Sequence, residues 1–387
     1  MRRRDWLGAS LAFPALHRLA SGQTEKPKEW VTAAASRDTA PRVGLIASSF
    51  AGTEEMDGKK VRPLRAPVPV DAPLGAAQLD DMLRLAVELG GGRRGGLATA
   101  IAPDDWVVIL TKAANLPGGP QPYQSGSATD LRLVKGVLGY LAERRLGRRF
   151  TIAAGTDFAA GDNLWTCMWN GDFDGLSYRS MVAEFAGKYP HLRYELLDLN
   201  QDGVLEMPLE GLALAARNPG GVYSIARTLR HCDKVISIVP LQTDASTGVA
   251  LSIMSYLGFA SGKRYGLPKA GLLKLGDPGE VALDLFTFHP LDYAIVGGAF
   301  GIEGDSPAGP AARARHHNVI IAGRHAMAVD AVGAAVMGFP SQAIRHLNLA
   351  VRRGYGTDDA DSIWTRGNEI PEARTEFRQP GGWREKT

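Results

Sequence analysis

Apolar residues in this chain fall into short unbroken runs, separated by longer stretches in which they recur every three or four positions. The runs at Arg42–Ala47, Trp106–Leu110, Phe150–Ala154, Arg193–Leu197, Lys234–Val239, Ala294–Val296 and Asn318–Ala322 read as strands buried on both faces. Between them, Leu79, Met82, Leu83, Ala86 and Leu89 share one face of a helix predicted over Ala76–Leu89 and stopped by the glycines from Gly90 onward. A capping box of Ser127 and Asp130 is expected to open a second helix to Leu146, with Leu131, Val134, Val137, Leu138 and Leu141 facing inward. Further helices are expected up to about Lys188, over Gly221–Arg230, over Thr247–Leu257, around Asp330 and near Gln342–Arg353. Strands that alternate with helices predict an α/β fold. Its sheet should be mostly parallel or mixed, with helices on both faces, in a single large domain with irregular insertions.

The first 22 residues, MRRRDWLGASLAFPALHRLASG, are organised differently. A basic start, a short apolar stretch from Trp6 to Leu16 and small residues at Ala20–Gly22 form an export signal too short to span a membrane. Arg3–Arg4 followed by Asp5, Trp6 and Leu7 resembles a twin-arginine signal. The expected partner there is the export machinery. The expected location is periplasmic or extracellular, with no stable membrane span after signal removal. Residues 23–41 read as a linker, 42–370 as the α/β domain and 371–387 as a polar tail.

Composition narrows the function classes. Apolar content of 45% and charged content of 22% suit a soluble globular protein, and the net charge of +3 is near balance. The basic runs Arg144–Arg145, Arg148–Arg149 and Arg313–Arg315 are scattered rather than joined in a stripe, so no nucleic-acid partner is expected. Two cysteines, Cys167 and Cys232, are too few for a four-thiolate cluster, so no iron–sulfur cofactor is expected. Their spacing leaves open whether they pair.

The stretch Ala294–Gly338 concentrates the candidate chemistry. A glycine-rich turn carrying Glu303 and Asp305 follows a buried strand, and Asp330 lies on the next helix. Open α/β sheets bind ligands at the carboxyl ends of their strands, and glycines let a backbone approach closely. Glu303, Asp305, Asp330 and Lys112 are therefore the catalytic candidates, a carboxylate beside a lysine or metal being the simplest general base. Asn115, Asp157, Thr247, Gly301, Gly304 and His317 are the ligand-binding candidates. His316 and His317 are adjacent near a strand, so only one can face a common site.

Asp198, Asn200, Asp202 and Gly203 spell D-x-N-x-D-G, the opening of a calcium loop, and are weak candidates for a metal. Leu209 stands at the twelfth position, where a bidentate glutamate belongs, and Glu210 is one place late. An Asx turn is the alternative. Trp165, Trp169, Phe173 and Tyr178 could stack on a planar ligand or hold down a loop. The chain has neither G-x-S-x-G nor H-E-x-x-H, and GGAFGIEG lacks dinucleotide-binding spacing. Serine hydrolase, zinc protease, nucleotide hydrolase and ordinary dehydrogenase readings lose support.

The order GIEGDSPAGP, NVIIAG, AMAVDAVGAAVMG, RRGYGTDDADSIWTRG in the C-terminal third resembles the DUF362 family, a domain of unknown function. WVVILTKAANL sits where that family carries a strand ending in Lys-Pro-Asn, and CDKVISIVPLQTDASTGVALSIMSYLG where it carries an aspartate, a strand, Lys-Thr-His and a later Lys-Asn. The chain departs from the pattern. Gln242–Thr243–Asp244 replaces Lys-Thr-His, Met254–Ser255 replaces Lys-Asn, two alanines separate Lys112 from Asn115, and Gly297 stands at a frequent aspartate. The resemblance transfers no activity; the leading expectation from the residues is a small ligand or divalent metal held at the strand carboxyl edge, with the cofactor unspecified and enzymatic activity left open. The rival is a non-catalytic binding or assembly protein that keeps the scaffold.

Overall fold

Eight strands form one sheet, and its inner strands are apolar on both sides because helices cover both faces. The computed structural model describes residues 41–56, 59–61, 63–91, 95–113, 123–157, 160–166, 173–209, 218, 220–305 and 312–383. The stretch expected to be an export signal, nearly all of the expected linker, Asn115, Cys167 and Trp169 lie outside the described residues. In chain order the strands are β1 (Arg42–Ala47), β2 (Trp106–Thr111), β3 (Arg149–Ala154), β4 (Arg193–Asp198), β5 (Lys234–Val239), β6 (Tyr293–Glu303), β7 (Arg313–Gly323) and β8 (Trp364–Gly367). They lie side by side as β8-β1-β7-β6-β5-β2-β3-β4. Every neighbouring pair is parallel except the two that involve β7, so seven strands point one way and β7 alone is reversed. The fold is α/β with a mostly parallel sheet, as the alternating pattern predicts.

Period-two alternation sorts each strand between two cores. Val107, Ile109, Phe150, Ile152, Ile236 and Ile238 face α1 (Ala76–Gly90), α2 (Leu131–Glu143) and α3 (Tyr178–Lys188). Val108, Leu110, Val235, Val239, Val296 and Ile321 face the other layer, built from α4 (Pro278–Phe288), α5 (Ala326–Val336) and the 3-10 turn Met254–Phe259. A further helix, α6 (Arg345–Arg352), follows. The helix α1 packs almost backbone to backbone on the sheet: a Cβ on Gly44 would lie 2.0 Å from the Ala86 carbonyl oxygen.

Several local expectations give way. Asp130, not Ser127, caps α2 by accepting from Arg132 N at 3.0 Å, while Ser127 Oγ donates to the Gln124 carbonyl at 2.6 Å. Gly221–Arg230 is mostly not helical. Tyr223 and Ile225 alternate inward as Val222–Ala226 pairs antiparallel with Val204–Pro208, and a helix forms only over Arg227–His231. Over Thr247–Leu257, Asp244 Oδ1 ties a turn through Ser246 N and Thr247 N, leaving only the short 3-10 turn.

The glycine-rich loop expected after Val296 is instead a continuation of β6. It pairs with β7 out to Glu303↔Arg313, with a bulge between Gly298 and Phe300. Gly297 and Gly298 have φ of +118° and +139°, a conformation closed to L side chains at low cost. His316 and His317 therefore lie inside β7.

This bend can be checked directly. In Gly297→Ala the new methyl would lie 2.0 Å from the Val319 carbonyl oxygen. Urea unfolding should show a loss of about 3 kcal/mol or more. Gly187→Ala, on α3 with open space around it, should be neutral or stabilising by up to about 1 kcal/mol.

Candidate functional site

At the β2–β5 pair the chain leaves the sheet in opposite directions. From β2 it passes to α2 on one face, and from β5 to the Met254–Phe259 turn and α4 on the other. Such a divergence opens a crevice at the carboxyl edge of a parallel sheet. The two residues that follow these strands meet across it. Lys112, directly after β2, donates through Nζ to Gln242 Oε1 in the segment after β5. Gln242 is fully buried, and its Nε2 donates to the Gly126 carbonyl at 2.8 Å, which fixes its oxygen toward the lysine.

The lysine backbone is clamped as well. Lys112 N donates to Thr129 Oγ1 and the Lys112 carbonyl accepts from Thr129 N, both at 2.8 Å. Thr129 Oγ1 in turn donates to the Ile238 carbonyl at the end of β5 at 2.6 Å. One buried threonine thus ties both strands of the crevice to α2's entry.

Acids and a second lysine stand on the neighbouring loops. Burial lowers the Lys112 pKa to about 8, against the opposing pull of Asp244 and Asp157. Asp244 lies two residues past Gln242, and exposed Asp157 ends the turn after β3. Asp157 also acts on Lys269, whose pKa burial lowers to about 8 while Asp157 and Asp198 raise it. Lys269 Nζ donates to the Leu257 and Gly258 carbonyls at 3.2 and 3.0 Å. There the turn at Gly155 presses on Gly258 so closely that a Cβ would lie 2.0 Å from the Gly258 oxygen. Lys269 is a strap under the site.

A family model described as "Domain of unknown function (DUF362)" matches residues 112–335, more than half of the chain, beginning at Lys112 itself. The chain belongs to the DUF362 family. A comparison with curated proteins found no match. A structural-genomics crystal structure of a protein from Thermotoga maritima is similar over 63% of this chain and 54% of that one, at 12% identity and a TM-score of 0.33.

The remaining candidates of this DUF362 chain have other partners. Glu303 Oε2 accepts from Arg378 N at 3.1 Å and Asp305 Oδ1 from Gly381 N at 2.7 Å, so both hold the C-terminal segment to the β6–β7 arm. Gly304 N donates to the Arg378 carbonyl at 2.8 Å in the same seam. Gly301 shapes the crevice from behind. A Cβ there would lie 2.3 Å from the Leu241 oxygen, and Gly126 packs against its backbone with φ of +83°. Thr247 Oγ1 donates to Asp244 Oδ1 at 3.0 Å and closes that turn. His317 is fully buried beside Phe377, burial lowers its pKa to about 3, and its Nδ1 accepts from Val319 N at 3.2 Å.

The D-x-N-x-D-G stretch is a turn after β4. Asp198 Oδ1 accepts from Asn200 N, Asn200 Nδ2 donates to the Thr156 carbonyl, and Asp202 Oδ2 accepts from Thr228 N at 2.7 Å. These bonds knit β3, β4 and the Arg227–His231 helix together. Among the described residues no three His, Cys, Asp or Glu side chains gather to hold a metal ion. Gln242, Asp244 and Lys269 were not among the candidates. Gln242 and Asp244 carried a signal, since they stand in the Lys-Thr-His position; Lys269 carried none.

Asp330 has no exposed surface. Its carboxylate accepts from Ser252 N at 3.0 Å, Ser252 Oγ at 2.5 Å and Ile253 N at 2.9 Å, and burial still raises its pKa to about 6. A folded-state pKa above the unfolded 3.8 means that stability is present below pH 4 and lost as pH rises through 6. Relative to Asp330→Asn, the wild type should lose about 3 kcal/mol between pH 3.5 and 7.5, read from urea midpoints at each pH.

Proposed function

We propose that this DUF362 chain binds a small ligand bearing an anionic group at the carboxyl edge of its sheet, and that Lys112 is the residue that meets it. The observation that carries this reading is the partner of the ammonium. Lys112 is partly buried, yet the side chain it bonds is a neutral amide, Gln242. Removing an ammonium from water costs several kcal/mol unless a counter-charge offsets it. The structural lysines are supported differently: Lys234 pairs with Asp292 at 3.0 Å, and Lys269 takes two carbonyls. An ammonium with donors to spare, in a crevice at a topological switch point, fits an incoming carboxylate or phosphate.

An amine near pKa 8 also exchanges a proton close to neutral pH, which favours chemistry over simple retention of the ligand. The non-catalytic alternative draws on Glu303 and Asp305, the two acids of the arm, whose bonds go to the C-terminal segment.

Lys112→Met tests the reading. The folded pKa of about 8 lies below the unfolded 10.5, so the lysine's favourable contribution exists above pH 10.5 and is lost as pH falls through 8. At pH 7 the methionine variant should be more stable by about 1–3 kcal/mol, an advantage that shrinks by pH 10. Mass spectrometry of small molecules released on denaturing should find an anionic compound with the wild type and not with the variant. A variant less stable than wild type at pH 7 would make Lys112 a structural residue and end the proposal.

We further propose export by the twin-arginine route, supported by Arg3–Arg4 and the short apolar stretch behind them. Replacing both arginines by lysine should leave the protein in the cytoplasmic fraction. The unsubstituted chain should appear outside it, shortened by about the 22 residues of the signal. Equal distribution of the two would exclude this route.

A further inference from the structure

We infer that Lys112 forms an imine with a small carbonyl compound that carries an acidic group, such as a 2-oxo acid or an acidic aldehyde. This deepens the reading of the site just given and rests on it. Imine formation requires an amine that is reachable, free of a carboxylate partner, rigidly aimed, and close to groups that can move protons. Among the described lysines, Lys112 combines these features. The residue is intermediate in exposure, and its hydrogen-bond partner is the neutral Gln242 amide, which brings no counter-charge to the ammonium. Thr129 fixes its backbone from both sides and the Gly126 carbonyl fixes Gln242. Asp157 and Asp244, on the loops after β3 and β5, are near enough to act on the amine electrostatically and can serve as proton carriers.

The other described lysines lack one feature or another. Lys135 bonds Glu184 at 2.8 Å and Lys234 bonds Asp292, so a carboxylate holds each ammonium. Lys263 and Lys269 each donate to two backbone carbonyls. Lys60, Lys188 and Lys274 are exposed, Lys188 beside the Tyr189 ring.

The step balances without an added oxidant or reductant. The Nζ lone pair attacks the carbonyl carbon, forming a C–N bond as the carbonyl π pair moves to oxygen. The Asp157 or Asp244 carboxylate, having taken a proton from the Lys112 ammonium, gives it to that oxygen. It then takes a second proton from the added nitrogen and gives that to the hydroxyl, which leaves as water as nitrogen forms a double bond to carbon. The products are a protonated imine, water and the regenerated carboxylate, the three ammonium protons ending as two in the water and one on the imine.

Reductive trapping tests this on the full chain. Glyoxylate and cyanoborohydride convert an imine into a carboxymethyl-lysine, located by peptide mass spectrometry. At pH 7.5 Lys112 should be modified about tenfold faster than Lys274 or more, because a larger fraction of it is free amine. In Gln242→Glu a carboxylate would pair with the ammonium, and the rate at Lys112 should fall to that of Lys274 in protein shown by circular dichroism to be folded. Modification of Lys112 no faster than Lys274 in the wild type overturns the imine. If that occurs while the protein still releases an anionic compound that Lys112→Met lacks, the binding site stands and only the covalent step falls.

Discussion

The site depends on the orientation of one buried amide. Gln242 presents its oxygen to Lys112 because its nitrogen is committed to the Gly126 carbonyl, and the reverse orientation would leave a carbonyl facing a carbonyl and an NH2 facing an ammonium. That commitment requires Gly126 to sit where it does. It rests on Gly301, at a separation that a side chain on Gly126 would prevent. The backbone of Leu241 crosses the same glycine, with Ile302 N donating to its carbonyl at 3.0 Å. A contact between two glycines far apart in sequence therefore sets the direction of a side chain on a third segment, and through it the environment of the lysine.

The reversed strand explains why the glycine-rich stretch supports the crevice without supplying its acids. With β7 antiparallel to β6, the two form an arm that runs past the end of β5 before turning. Glu303 and Asp305 ride to the far end of that arm, where the segment around Arg378–Gly381 offers them backbone N–H groups. Gly301 lies partway along, beside Leu241 just past the end of β5, and so touches the crevice. Glycine and acid are two residues apart in sequence and serve different parts of the molecule.

Sequence made the sheet legible because strands buried on two faces are short and continuously apolar, and Val107–Leu110 or Val235–Val239 offer no competing helical reading. The errors fall where a side-chain bond overrides periodicity. Thr247–Leu257 has helical spacing, but Asp244 and Asp330 take backbone N–H groups a helix would otherwise organise. Lys112 and Asp157 could be placed at a strand's carboxyl edge by counting from the apolar runs. Asp330 could not be separated from them, since a buried acid reads alike whether it faces a ligand or caps a turn. Lys269 was invisible for a different reason: its contacts are to backbone carbonyls, which any sequence supplies.

Two lysines with similarly lowered pKa values sit under the same edge, and burial alone does not distinguish them. Their acceptors do. Lys269 lies over the carbonyls that end a 3-10 turn, and its donors go to backbone oxygens of the fold itself, so its charge completes the fold at that point. Gln242 has no such need. An amide oxygen in that place would be satisfied by a hydroxyl or a water, and a neutral side chain at position 112 would spare the fold a desolvated charge. The ammonium at Lys112 therefore contributes little to the scaffold that a neutral group would not, which is why the proposed anionic ligand is assigned to it.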